Sequence, residues 1–503
     1  MKKVVLLYAV MFLVLCGVHR ASGQPRNELV VVQQTEVNSL DPAKHNSAPD
    51  LNYALQVFDA PYRRDERANP ITGLVVSHKI INPTTWEFKL RPGVKFHDGE
   101  TLTAKDVKFS IDRMTDPQTK AFFAPFWTTF KEVSVIDNLT FRITTTVPDP
   151  LMLKRLCWGL WIVPADLFQK EGAEAFFQHP VGTGPYKFVS WARNDRMVLD
   201  ANEAYWDGAP KIKRVIFRAI PEAATRLAEL QTGNADIITG IPPFLVDQVK
   251  NSQTAGVQSV PSGRVLYIYM NCLAKGPLQD KRVRQAINYA VNRKAIIDDL
   301  LRGSGIETAV DLTSYHWGYD PSLKPYPYDP ARAKKLLAEA GYAKGLKLVF
   351  NTPNGRYMLD KEVCMAIAGM LREVGIETEM RVQEWGAYVQ TVVNASKGLQ
   401  DLGILGWGNT LGDADGTLTP LYTPDSAFSY YSTPALTDKI VKAKTTLDEK
   451  VRMRLYKEIQ KTIFDEAPLI FLYQQVDHYG VSRKVHDFHA RGDELLTLYK
   501  TSK

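Results

Sequence analysis

The stretch LKLVFNTPNGRYMLDKEVCMAIAGMLREVGIETEMRVQ, residues 346–383, changes its hydrophobic period twice. Leu348, Val349 and Phe350 form a short apolar run, read as a buried strand. From Asp360 onward Val363, Ile367, Met370, Leu371 and Val374 recur at helical spacing, and Gly375 closes that stripe. Ile376, Thr378, Met380 and Val382 then alternate with charged residues, as a half-buried strand does. The same succession continues on either side. Asp329 and Pro330 start a helix, cap then first turn, that stops at Gly341. Leu402 to Leu405 predicts another strand, followed by a polar, glycine-rich loop from Trp407 to Gly416. Leu455, Ile459 and Ile463 line a helix ending before Pro468. Strand and helix in this order predict an open α/β sheet, whose ligands sit at loops beyond the strand ends.

The amino-terminal half has a mixed α+β texture. Leu29 to Val32 is a short apolar strand, and Trp86, Phe88 and Leu90 alternate with polar residues. Turns follow at Pro92-Gly93 and Asp98-Gly99, and Thr103 is placed to cap a helix through Val107, Ile111 and Met114.

At 503 residues, 45% hydrophobic and 23% charged, the chain is globular in composition and large enough for two or three structural units. Lys2 and Lys3 precede an apolar run from Val4 to Val18, and Ala21 and Gly23 supply small residues for cleavage, the pattern of an export signal over residues 1–23. The run is shorter than a membrane span needs. Cys16 opens a lipoprotein alternative, disfavoured by the bulk of Leu15. Removing Lys2, Lys3 and Arg20 lowers the formal charge from +7 to +4, too mild and dispersed for a nucleic-acid partner. Cys157, Cys272 and Cys364 remain; their spacing matches no zinc pattern, and any disulfide among them is left open. Phosphate-loop, metalloprotease and nucleophile-elbow motifs do not occur. Gly182-Thr183-Gly184 and Gly303-Ser304-Gly305 lack the third glycine of a dinucleotide fingerprint and are read as turns. His486 and His489 lack a third ligand on one face, so no metal or cofactor is expected.

Five blocks carry a resemblance. They are WEFKLRPGVKFHDG at 86–99 with Ala104, Asp106, Val107 and Phe109 after it; PVGTGPYKF at 180–188 with Trp191 and residues 202–210; PLQDKRVRQAIN at 277–288; Tyr328-Asp329-Pro330 leading to Gly341; and Gly406-Trp407 through Gly412-Asp413-Ala414-Asp415. In this order they resemble the extracellular solute-binding proteins of family 5, which take peptides, glutathione or nickel complexes. The resemblance implies a two-lobed periplasmic-binding-protein fold (type II, cluster C-like). One lobe would hold residues 24–270 and 476–503, with an inserted subdomain at about 63–190. The other would be 271–475. Chain crossings near Met270-Asn271 and Gln474-Gln475 would form a hinge that closes on ligand. A monomer working with the permease subunits of an ABC importer, and no enzymatic step, is what such a fold implies.

A cleft that takes small zwitterions needs aromatic surface, an anion clamp and a cation partner. Trp407 at the head of the polar loop is the first aromatic candidate, with Trp385 and Tyr267 after it. Tyr269 and Asn271 flank the expected hinge, and Glu36 and Asn38 follow the first strand. Arg356, just after the 348–350 strand, suits a carboxylate. Dipeptide-binding relatives carry an aspartate three residues after the loop tryptophan. Here that place is Thr410, so a ligand ammonium would turn to Asp413 or Asp415, or to a carboxylate across the cleft. The expectation is a short-peptide or glutathione-like ligand. A nickel chelate or haem, or a secreted hydrolase or transferase, are the alternatives.

Overall fold

The computed structural model describes residues 27–393, 401–409 and 411–503; the predicted export signal, Cys16 and Thr410 lie outside them. The predicted strand, helix, strand unit forms: Leu346–Pro353 and Ile376–Gln383 pair in parallel across the helix Asp360–Glu373. Leu402–Gly408 joins the other edge of Leu346–Pro353, also parallel. These strands belong to an eleven-stranded mixed sheet that continues through Ala255–Met270, Leu469–Ser482, Ile237–Ile238 and Glu28–Gln33 to Arg214–Ala219, Arg196–Ala201 and Tyr186–Ala192. A separate four-stranded sheet, Val75–Asn82, Thr85–Leu90, Thr140–Thr145 and Phe130–Asp137, lies within the expected insertion.

Apolar burial divides the molecule. One core gathers residues from Leu29 to Phe217 with Tyr479 to Leu498, and another gathers Leu266 to Tyr473. A smaller cluster around Leu227, Leu230 and Val249 covers the first lobe's sheet. Two long antiparallel strands, Ala255–Met270 and Leu469–Ser482, run through both. Their register passes from Pro261 opposite Val476 to Val265 opposite Gln474 through a bulge. The first strand therefore changes lobes between Pro261 and Val265. The crossing expected at Met270-Asn271 falls inside the second core, where Leu266 to Met270 are all buried. Pro261 breaks the ladder, and Gly263 bonds instead to the carbonyl of Gly492 at 2.7 Å.

The 86–109 block is framework. Trp86, Phe88, Leu90, Val94 and Phe96 are buried, with Phe88 stacked on Phe141 at 5.1 Å. Asp106 accepts from the Thr103 N–H at 2.8 Å and fixes the start of the helix Ala104–Thr115. His97 joins this block to the next, donating its Nε2–H to the Gly184 carbonyl at 2.9 Å. Gly182 and Gly184 are glycines because a Cβ at either would run into the Val57 backbone carbonyl; Gly184 donates to that oxygen at 3.0 Å. Close backbone approach, with no phosphate, accounts for that pair. No helix among the described residues is long and apolar enough to cross a membrane. Cys157, Cys272 and Cys364 are free thiols, and burial pushes the first two up to about 11 and about 12.

Candidate functional site

Between the lobes lies a cavity of about 200 Å3, bounded by Gln33, Gln34 and Thr35 at the end of the first strand and by Arg356, Tyr357 and Tyr473 opposite. Arg264, Asp477, His478 and Glu494 line it beside the strand crossings. Four charged groups of both signs thus meet in one small space.

Arg356 stands on a loop that Asp360 holds rigid. The buried Asp360 carboxylate accepts the N–H groups of Gly355, Arg356, Tyr357 and Lys361 at 2.8–2.9 Å. The Arg356 guanidinium itself is exposed and lies 5.2 Å from the Tyr357 ring centroid and 5.1 Å from that of Trp385. It makes no ion pair among the described residues, so its fork is open to a carboxylate.

Arg264 sits within the bulge, its guanidinium 3.5 Å from Glu494. Gly408 lies alongside it, where a Cβ would make ordinary contact with the guanidinium at 3.7 Å. Glu494 holds a backbone φ of +61°, sparsely populated for a residue with a side chain. Asp477 accepts from Gln475 at 2.5 Å through one oxygen, and its other oxygen is buried with no hydrogen-bond partner among the described residues. Burial, then the neighbouring Glu494 charge, pushes the Asp477 carboxyl up to about 6. A buried acceptor left open in a cavity is where a ligand donor is worth most.

Other sequence candidates sit elsewhere. Tyr267 is 1% exposed and Tyr269 stacks face to face on Tyr430 at 4.0 Å, both within the second core. Asn271 is buried and accepts from the Ala274 N–H at 3.3 Å. Glu36 accepts from the Trp191 indole at 2.8 Å and from Asn194 at 3.0 Å, and Asn38 donates to Asp50 at 2.7 Å. These contacts turn both side chains to the fold, and the cleft is bounded instead by Gln33 to Thr35. Trp407 spends its N–H on the Gly416 carbonyl at 2.9 Å and packs edge-on against Phe428. Trp385 remains beside Arg356 as its aromatic neighbour.

The two loop aspartates are structural. Asp413 is 1% exposed, with Arg452 donating to both oxygens at 2.6 and 3.0 Å and Tyr456 adding a third bond at 3.3 Å. Asp415 is buried, accepts from Thr419 at 2.7 Å, and is held above the usual carboxylate range by desolvation. Asp413 offers no free oxygen to an ammonium in this arrangement. Between them and the strand, the loop latches the lobes: Leu411 enters the first core, and Lys154 of the first lobe donates to the Gly412 carbonyl at 3.1 Å and the Ala68 carbonyl at 2.7 Å. Gly412 has φ +61° and lies against Ala68 so closely that a Cβ has no space.

The family model for bacterial extracellular solute-binding proteins, family 5, matches residues 69–429. The chain belongs to that family. Among curated relatives, this family 5 protein is 31% identical to the glutathione-binding protein GsiB of Pectobacterium atrosepticum, over 94% of this chain and 93% of the relative. Among solved structures it is similar to HbpA2 from Haemophilus parasuis, at 25% identity and a TM-score of 0.86, covering 94% of this chain and 99% of the other. It is also similar to the periplasmic binding protein DppA from Helicobacter pylori in complex with the peptide STSA, at 26% identity and a TM-score of 0.77, covering 94% and 98%. As a family 5 member it is a two-lobed binding protein of the ABC-importer type, as the five sequence blocks imply.

Proposed function

We propose that this protein captures a small zwitterion bearing two carboxylates, a glutathione-like peptide, in the periplasm and hands it unchanged to the permease subunits of an ABC importer. The observation that carries the reading is the meeting of Arg356 and Arg264 with Asp477 and Glu494 around one cavity. Two guanidiniums suit two carboxylates, and the open Asp477 oxygen suits an ammonium. The cavity, about 200 Å3, falls below the roughly 300–1,000 Å3 usual for ligand sites, which favours a ligand of a few residues over a long peptide. The glutathione-binding relatives support the same class. Trp385 and Tyr357 hold the Arg356 guanidinium over their rings, so its carboxylate contact is pre-oriented.

Mass spectrometry of small molecules released on denaturing the purified protein, followed by calorimetry with glutathione, N-acetylated glutathione and plain dipeptides, tests this. Glutathione binding tighter than plain dipeptides, weakened by acetylation, is expected. Dipeptides binding as tightly as glutathione would sink the two-carboxylate reading, and steady turnover of a peptide would sink transport without chemistry.

A further inference from the structure

A second and larger cavity, about 710 Å3, opens on the first lobe, away from Arg356 and the inter-lobe cleft. Its walls are aromatic: Trp158, Trp161, Trp206, Tyr205 and Tyr499, with the exposed Ile71 at the rim. Cations lie against these rings. Arg63 stands 4.2 Å and Arg91 4.7 Å from the Trp206 centroid, and Arg64 stands 3.9 Å from that of Trp158.

The carboxylates lining this cavity are mostly occupied. Asp59 accepts from Thr183, Tyr205 and Trp206 at 2.9–3.1 Å. Asp65 is bound by Arg67 and Asn69 N–H groups, and Asp207 by Arg63 and Tyr499. Among the described residues Glu66, exposed at the rim, alone of these carboxylates has no hydrogen bond or ion pair. On the positive side Arg67, Arg91 and Lys500 line the space and make no ion pair among the described residues. The opening is therefore left with an excess of unpaired cations. At its inner side Trp158 and Trp161, 4% and 9% exposed, each carry an indole N–H with no acceptor among the described residues.

Aromatic walls with surplus guanidinium and ammonium groups recognise one chemistry: a flat ring to stack and an anionic group to pair. We propose that this cavity is a second ligand site of the protein, for an aromatic carboxylate. The ring packs among the aromatic walls, and the carboxylate falls to Arg91 and Lys500 at the mouth. The site is independent of the cleft, because none of its residues bounds the cavity between the lobes.

Calorimetry of the purified protein with 2-naphthoate tests it, with 2-naphthamide as the uncharged counterpart. Saturable naphthoate binding is expected, weakened at least about fivefold by Arg91→Ala and again by Lys500→Ala, and by replacing the acid with the amide. Both substitutions lie at the cavity mouth, and melting temperatures within about 2 °C of wild type will show that each variant is folded. Absence of saturable binding overturns the proposal. So does equal binding of the amide. Loss of naphthoate binding on Arg264→Ala, with Arg91→Ala behaving as wild type, would place the ring in the inter-lobe cleft and also overturn it.

Discussion

Replacing Asp413 by asparagine separates a structural aspartate from a ligand-binding one. The side chain is almost fully buried, and Arg452, 4% exposed, donates to both of its oxygens at 2.6 and 3.0 Å. Tyr456 and the Asp415 N–H complete its shell. Asparagine keeps the shape and can accept one of these bonds, yet leaves a guanidinium uncompensated beneath Trp317 and Tyr456, whose centroids are 4.8 and 4.9 Å away. Breaking a buried pair from one side costs about 3–5 kcal/mol. For a core the size of the second lobe, each kcal/mol lowers the melting temperature by about 2–4 °C, so a fall of roughly 6–20 °C is expected. Scanning calorimetry measures it. The double variant Asp413→Asn with Arg452→Met removes both charges of the pair and should recover part of the loss, because the guanidinium is then no longer stranded. An unchanged melting temperature in Asp413→Asn, accompanied by lost ligand affinity, would refute the reasoning and return Asp413 to the role expected from the loop sequence.

Other consequences can be measured alongside. Arg356→Ala and Arg264→Ala should each weaken glutathione by about 1.5–3 kcal/mol in calorimetry, while a ligand with one carboxylate loses affinity chiefly for one of the two. Because the Asp477 carboxyl is raised to about 6, an ammonium ligand should bind at constant affinity above about pH 7 and progressively less well as pH falls through 6; an affinity independent of pH would remove Asp477 from the contact. Gly412→Val puts a side chain where Ala68 sits, and should hold the lobes apart, enlarging the radius of gyration seen by small-angle scattering with ligand present. Asp311, buried and with one oxygen unpartnered, keeps its proton up to about 7. The unfolded chain loses that proton near 4, so its contribution to stability is greatest below about 4, falls as pH rises and levels off above about 7. Asp311→Asn should abolish that slope in urea titrations across this range.

Much of the architecture is visible in local patterning, because period and caps are local. The 346–383 stretch folds as its spacing predicts, and Arg356 emerges on a loop facing the cleft because Asp360, four residues on, ties the backbone down. The hinge is harder to place. Residues 265–270 are uniformly apolar and give no break, and the signal was the Pro261-Ser262-Gly263 run just before them, where a strand cannot keep its ladder. Arg264, Asp477 and Glu494 are invisible singly. They come from three distant segments, and only the sheet brings them to one space. Conversely Asp413 looks available in sequence because its partner Arg452 lies on the distant helix Glu449–Glu466, beyond any local pattern. Trp407 spends its indole N–H within its own loop, on the carbonyl of Gly416.

The discontinuous first lobe has a consequence for how the chain becomes a protein. The second core draws only on residues 266–473 and can close as soon as that stretch is available. The first needs Tyr479, Leu495, Leu496 and Leu498 to fill it, and the backbone of Leu496 to pair with Asn52 at 2.8 Å and Gln56 at 2.9 Å. During synthesis from the amino terminus, then, the half made first is the half finished last. More than four hundred residues of sequence separate Asn52 from the partner that completes its shell, a loop closure that is entropically slow. The amino-terminal lobe stays loose until almost the whole polypeptide is present.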